Sequence, residues 1–176
     1  STRKESSAAS DVYKRQEVHM IGRLQGNKIT AALKVCDLVE TVDSLKTAQR
    51  LVRRLEANYP GRVLPCFIEV NCSREASKEG INPEDAWELT QQVLQMEQLS
   101  LRGFMTIGAL SPDEERIRES FRILRDLRDR TLAAGGRGQD ARELSMGMSQ
   151  DLEIAISEGA TMVRIGTDVF GARDYR

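Results

Sequence analysis

Residues Glu143–Thr167 read ELSMGMSQDLEIAISEGATMVRIGT, and this stretch holds one complete strand–helix–strand unit. The segment ARELSMG has the short apolar character of a buried strand. Ser149 is placed to cap a helix over 150–158, and Gly159 stops it. TMVRIGT then returns as a second strand. A strand, a helix and a strand in succession, with no Asn-Gly hairpin signal between apolar runs, is the signature of a parallel βα repeat.

Working upstream, the same unit recurs. LRGFMTIGAL reads as a strand, and the helix after it has Ser111 and Glu114 at capping-box spacing around Pro112. Its inward face is Ile117, Phe121, Leu124 and Leu127, and Gly135 ends it. RVLPCFIEVN is a strongly buried strand with Pro65 near its start. Asn82 is the expected cap of the next helix and Pro83 its first residue, with Ala86, Leu89, Val93 and Met96 facing inward. DLVETVDS is a strand, followed by a helix capped at Asp43 or Ser44 and lined by Leu45, Ala48, Leu51, Val52 and Leu55. EVHMIGRL is the first visible strand, and a helix begins near Asn27.

Six βα units are expected. The fold class is therefore α/β, either a doubly wound open sheet or a (β/α)8 TIM-type barrel. The barrel is favoured because helices always follow strands and no GxGxxG opens the chain. A full barrel has eight units and about 250 residues, so the expectation is a partial barrel with about six of eight units, two N-terminal ones missing. Residues 1–16, STRKESSAASDVYKRQ, are polar and aperiodic and are set apart as a disordered or scar-like leader. Residues 17–176 form the single domain.

The chain has 176 residues, 40% hydrophobic and 30% charged, with 26 Lys and Arg against 27 Asp and Glu. That near balance argues against general nucleic-acid or membrane-surface binding. Cys36, Cys66 and Cys72 have no CxxC or His pairing, so free thiols in a reducing cytoplasm are expected and a zinc site is not.

The chemistry gathers at the ends of the last two strands. Gly147 and Ser149 follow one, Gly166 and Thr167 the other. Glycine lets backbone approach a ligand, hydroxyls donate, and free N–H groups at a helix start favour an anion. Taken singly, each motif is an ordinary cap and turn; together, on adjacent strands of a barrel, they suggest a phosphate cup. Alternation places Met162, Arg164 and Gly166 on one face and Val163 and Ile165 on the other. A lumen-facing Arg164 needs an acceptor, either Glu69 in a structural ion pair or a ligand. Asn71 either lines the mouth or organises a turn. His19 has no partner in sequence that would make a triad, and Lys28 reads as a surface residue.

HMIGRLQGNKI, DLVETVDS, IEVN, ELSMGMSQDLEIAI and TMVRIGTDVFGARDY together closely resemble the pyridoxal 5′-phosphate homeostasis protein family. The resemblance runs from about His19 to Tyr175. It implies a single β/α barrel like the alanine racemase N-terminal domain, pyridoxal 5′-phosphate as cofactor, cofactor-accepting apo-enzymes as partners, and no assigned turnover reaction. It implies that Ser145, Ser149, Gly166 and Thr167 enclose the cofactor phosphate and that Arg164 faces the pyridine nitrogen. The family's Schiff-base lysine has no match among Lys4, Lys14, Lys28, Lys34, Lys46 and Lys78, so weak, non-covalent binding and an exposed apolar seam are expected. No catalytic residue and no metal ligand is assigned. Two alternatives stand beside this. A racemase-like enzyme would need the lysine and a second base such as a tyrosine, and Tyr13, Tyr59 and Tyr175 are poorly placed. A phosphosugar-binding barrel enzyme would need strand-borne carboxylates, for which Glu69 is the candidate.

Overall fold

The computed structural model describes residues 16–171. The leader, apart from Gln16, lies outside the described residues, as does Tyr175. Six strands form one sheet: β1 His19–Met20, β2 Leu38–Val42, β3 Leu64–Glu69, β4 Leu99–Met105, β5 Glu143–Met148 and β6 Met162–Arg164. Between them lie α1 Ile29–Leu33, α2 Leu45–Asn58, α3 Pro83–Leu94, α4 Glu114–Ala134 with a 3-10 turn over Gly136–Asp140, and α5 Leu152–Ser157. The last helix, α6, is Thr167–Phe170.

The strands pair in strict sequence order, β1 to β6, and every pair is parallel. This order decides between the two closures. A doubly wound sheet reverses direction at a switch point to put helices on both faces. Right-handed crossovers that always advance to the next strand keep the helices on one face. The architecture is therefore a half-barrel, a curved wall with helices outside and a lumen face inside.

Each face carries its own apolar cluster. The helix side is the larger one, with Val39, Leu51, Leu55, Ile68, Phe104, Phe121, Leu124 and Met146 among its buried members. The lumen side holds Leu38, Phe67 and Met105, with Met162 packed against them. In β4 the register to β3 shifts between Cys66 and Phe67, so that Leu101 and then Gly103 are the successive partners. Arg102 is left out of the ladder and exposed. The bulge restores the correct facing of Phe104 outward to the helices and Met105 inward.

Several local expectations are revised. β1 is only His19–Met20, shorter than EVHMIGRL implied. The cap of α4 is Asp113, whose side chain accepts from the Glu115 N–H; Ser111 instead accepts from the Asp113 N–H. The cap of α5 is Asp151, not Ser149. Asp151 Oδ1 takes the Met148 N–H, and the helix starts two residues later than the sequence pattern suggested. Ser44 does cap α2, accepting from the Thr47 N–H at 3.3 Å. The thiols of Cys36, Cys66 and Cys72 are free and buried. Burial pushes Cys66 and Cys72 up to about 12, which removes them from nucleophilic chemistry.

Candidate functional site

The lumen face carries a chain of polar side chains that crosses four strands. His19 on β1 bonds through Nδ1 to Glu40 Oε1 on β2 at 2.7 Å. Ser145 Oγ on β5 donates to Glu40 Oε2 at 2.6 Å. Arg164 on β6 donates through Nη1 to Ser145 Oγ at 2.8 Å and to the Ser145 carbonyl at 2.9 Å, and through Nη2 to the Thr106 carbonyl at 2.8 Å. Glu40 and Ser145 are 1% and 0% exposed. Alternation explains the gathering: Leu38 and Glu40, Phe67 and Glu69, and Met162 and Arg164 are two-residue repeats on one pleated face.

Arg164 therefore finds its acceptors on β5 and on the residue after β4. No ion pair with Glu69 forms, which corrects the pairing proposed from sequence. The reason is reach: Ser145 is in the neighbouring strand, whereas Glu69 lies two strands further round the wall. Burial pulls the guanidinium below its ordinary value, while Glu40, Asp151 and Glu69 pull it back. It stays cationic. Three of its five N–H groups are used. The Nε–H and one Nη2–H have no partner among the described residues. Among the described residues no buried side-chain nitrogen or oxygen is left unpaired, so the partnerless Nε is not fully enclosed.

Gly147 near the end of β5 and Gly166 just after β6 belong to the two turns expected to form the cup. Gly147 has φ of +95°, and a Cβ there would meet the Ala155 Cβ at 2.5 Å. Only glycine permits that path between β5 and α5. Gly166 is exposed, and a Cβ placed on it would meet nothing within 4 Å. The Ser149, Gln150 and Gly166 N–H groups have no acceptor among the described residues. Ser149 is partly buried at the same turn. Thr167 opens α6, and its side chain lies outside what is described. Both α5 and α6 are short, so individual N–H groups, not helix dipoles, are the donors here.

Ser145 stands apart from the other residues expected to enclose a phosphate. It is mid-strand and fully buried, with its hydroxyl proton committed to Glu40 and a lone pair to Arg164. His19 proves to be a lumen residue, edge-on to the Phe67 ring at 6.5 Å between centroids. Asn71 organises a turn, its Nδ2 donating to the Glu75 and Lys78 carbonyls. Lys28 is exposed at the start of α1. Among the described residues Lys28, Lys34, Lys46 and Lys78 are all off the strands, and no group of acids, cysteines or histidine is placed to hold a metal. Sequence reasoning missed Glu40. The signal was available: an acid inside an otherwise apolar strand is as conspicuous as Arg164 in MVRIG. Glu69 is thus not alone among strand-borne carboxylates.

Glu69 is the last residue of β3. It is 5% exposed, and its carboxyl accepts no hydrogen bond among the described residues. Desolvation, followed by the nearby charges of Asp43 and Glu79, pushes it from its ordinary 4.5 to about 7, against the pull of Arg164 and Arg23. The folded state then holds a proton that the unfolded chain has released. Stability should fall as pH rises from about 4.5 to about 7. Glu69→Gln is expected to remove this fall, so that the difference in urea midpoint between variant and wild type is larger at pH 8 than at pH 4.5. A difference that does not change with pH would contradict the assignment.

A family model described as the alanine racemase N-terminal domain matches residues 6–174. The pyridoxal phosphate homeostasis protein of Pseudomonas aeruginosa is 45% identical over 157 residues, covering 89% of this chain and 65% of that protein. A protein of unknown function from Bifidobacterium adolescentis has the same fold with a TM-score of 0.83 at 45% identity, over 88% of this chain and 60% of the other. PipY of Synechococcus elongatus, solved with pyridoxal phosphate bound, gives a TM-score of 0.75 at 29% identity, over 92% of this chain and 74% of its own. The chain thus spans a little under two-thirds of the length of the first two.

Proposed function

The chain belongs to the alanine racemase N-terminal-domain family, and from that premise we propose that it binds pyridoxal 5′-phosphate and serves the intracellular homeostasis of that cofactor. The observation that carries the reading is the set of donors without a partner among the described residues on β6 and at the ends of β5 and β6: the Arg164 Nε–H and the Ser149, Gln150 and Gly166 N–H groups. The name of the Pseudomonas relative and the ligand in PipY support it.

In this reading Gly147, Ser149, Gly166 and Thr167 hold the phosphate. Arg164 donates to the ring nitrogen, and Ser145 serves the ring by way of Arg164. Bound pyridoxal phosphate supplies an electron-withdrawing ring, which is strongest when its nitrogen is protonated. An arginine cannot give up its proton, so Arg164 keeps that nitrogen unprotonated and weakens the pull. That chemistry suits a protein that holds the cofactor and passes it to apo-enzymes better than one that turns over substrate. Lys28, Lys34, Lys46 and Lys78 all lie off the strands, and non-covalent binding is part of this proposal. No helix among them is long and apolar enough to cross a membrane, and the buried free thiols suit a reducing cytoplasm.

The test compares pyridoxal 5′-phosphate with pyridoxal, which lacks the phosphate, in equilibrium titrations. The phosphate form should bind more tightly. Ser149→Ala, removing one hydroxyl donor to an anion, should narrow the preference by about tenfold. Equal affinity for the two ligands in the wild type would end the cup assignment.

A further inference from the structure

Glu40 touches neither the open turns nor the partnerless Nε–H of Arg164, yet it is among the most deeply buried charged side chains of the chain. A buried acid is retained only when its oxygens are bonded, and both of these are. Its partners are informative. A serine hydroxyl has one proton and can point it only one way. Between Glu40 and Arg164 the direction is forced: a guanidinium has no acceptor, so the proton goes to Glu40 and the lone pairs face Arg164. Ser145 Oγ is thereby made a fixed acceptor. It holds Nη1 together with the Ser145 carbonyl, while Thr106 holds Nη2. The guanidinium is thus held by three hydrogen bonds, and its Nε–H has no partner among the described residues.

We infer that Glu40 is a positioning residue. Through Ser145 it fixes the orientation of Arg164, and so sets how strongly the site discriminates a ring with an acceptor nitrogen from one with carbon in that place. This rests on the cofactor reading above. His19 completes the arrangement from the other side: its Nδ1 bond fixes the second Glu40 oxygen, and its ring packs edge-on against Phe67. The imidazole tautomer follows from that bond.

The geometry distinguishes charge from orientation. In Glu40→Gln the amide oxygen can accept from Ser145, and the amide nitrogen can donate to His19 Nδ1 once the imidazole adopts its other tautomer. The shape and the Ser145 direction survive. In Glu40→Leu both are lost, and the Ser145 proton has no fixed acceptor.

The experiment measures binding of pyridoxal 5′-phosphate and of its benzenoid analogue, in which the ring nitrogen is replaced by C–H. The readout is the ratio of the two affinities. One charge-assisted hydrogen bond corresponds to a preference of about tenfold or more for the pyridine ring in the wild type. Glu40→Gln should keep that ratio. Glu40→Leu and Ser145→Ala should bring it close to one. General loosening of the fold weakens both ligands alike and leaves the ratio where it was. The smaller Ser145→Ala change serves if Glu40→Leu does not fold. A wild-type ratio preserved in Ser145→Ala or in folded Glu40→Leu overturns the inference while leaving the cofactor reading intact. A wild type that binds neither ligand overturns both.

Discussion

Gly103→Ala should unfold this protein or reduce it to a small soluble fraction. A Cβ at Gly103 would lie 2.1 Å from the Glu143 carbonyl oxygen and 2.7 Å from its carbonyl carbon. Both are backbone atoms of the adjacent strand, so no side-chain rotation relieves the clash. The only response is to part β4 from β5, which are joined at Gly103–Glu143, Phe104–Leu144 and Met105–Ser145. That separation opens both clusters at once, because Phe104 faces the helices and Met105 the lumen. It also displaces Ser145, on which Arg164 depends. A loss of about 4 kcal/mol or more is expected, against a total stability of about 5–15 kcal/mol for a typical domain. Urea unfolding with Gly22→Ala as control provides the check, since a Cβ at Gly22 meets nothing within 4 Å. Similar midpoints for the two variants would show that the sheet tolerates what its geometry forbids.

The second large effect is expected at Arg164. Arg164→Leu keeps an apolar stem but removes the guanidinium and its three hydrogen bonds, to the Ser145 hydroxyl, the Ser145 carbonyl and the Thr106 carbonyl. Ser145 retains Glu40, and its carbonyl retains the Thr106 N–H at 3.1 Å. The Thr106 carbonyl loses its guanidinium, and buried Glu40 loses the nearest positive charge on its Ser145 side. Taking one partner from a buried polar network costs about 3 kcal/mol, more than the pair adds over a hydrophobic substitute, because the remaining groups are left without water. Pyridoxal 5′-phosphate affinity should fall together with the urea midpoint. Arg164→Lys keeps the charge but cannot bridge β5 and the end of β4 with one ammonium. It should recover less than half of the loss in midpoint. A leucine variant as stable as the wild type would mean that the lumen network contributes nothing to folding.

The two effects share a cause. Gly103 packs against β5, and Arg164 ties β6 to β5 and to the residue after β4, so both substitutions act on the pairing of β5 with its neighbours. Elsewhere the fold rests on ordinary burial and on helix-side ion pairs. Arg118, Arg122 and Arg125 of α4, for example, converge on Glu158, and Arg125 Nη1 comes within 2.9 Å of it. That cluster fastens α4 to the end of α5, and nothing in it faces the lumen.

Much of this was legible in the residues alone. The βα repeat, the inward stripes of α2, α3 and α4, the place of Pro65 and the facing of Met162 and Arg164 follow from periodicity, which is a local property. The resemblance carried by SMGMS and RIGT pointed to the cofactor family. Helix caps were less secure: Ser111 and Ser149 each have an aspartate two residues on, and a carboxylate there took the cap position. The spacing pattern for capping does not rank two nearby candidates.

What the sequence determined by itself is the unit, strand then helix, and which side of each strand is apolar. What only tertiary structure decided is the order in which the strands pair, and hence which polar residues meet. Glu40 and Ser145 are 105 positions apart and form a 2.6 Å hydrogen bond. No periodicity encodes that contact. It exists because right-handed crossovers advance the sheet one strand at a time and curve it, so that an acid on β2 faces a serine on β5 across the lumen.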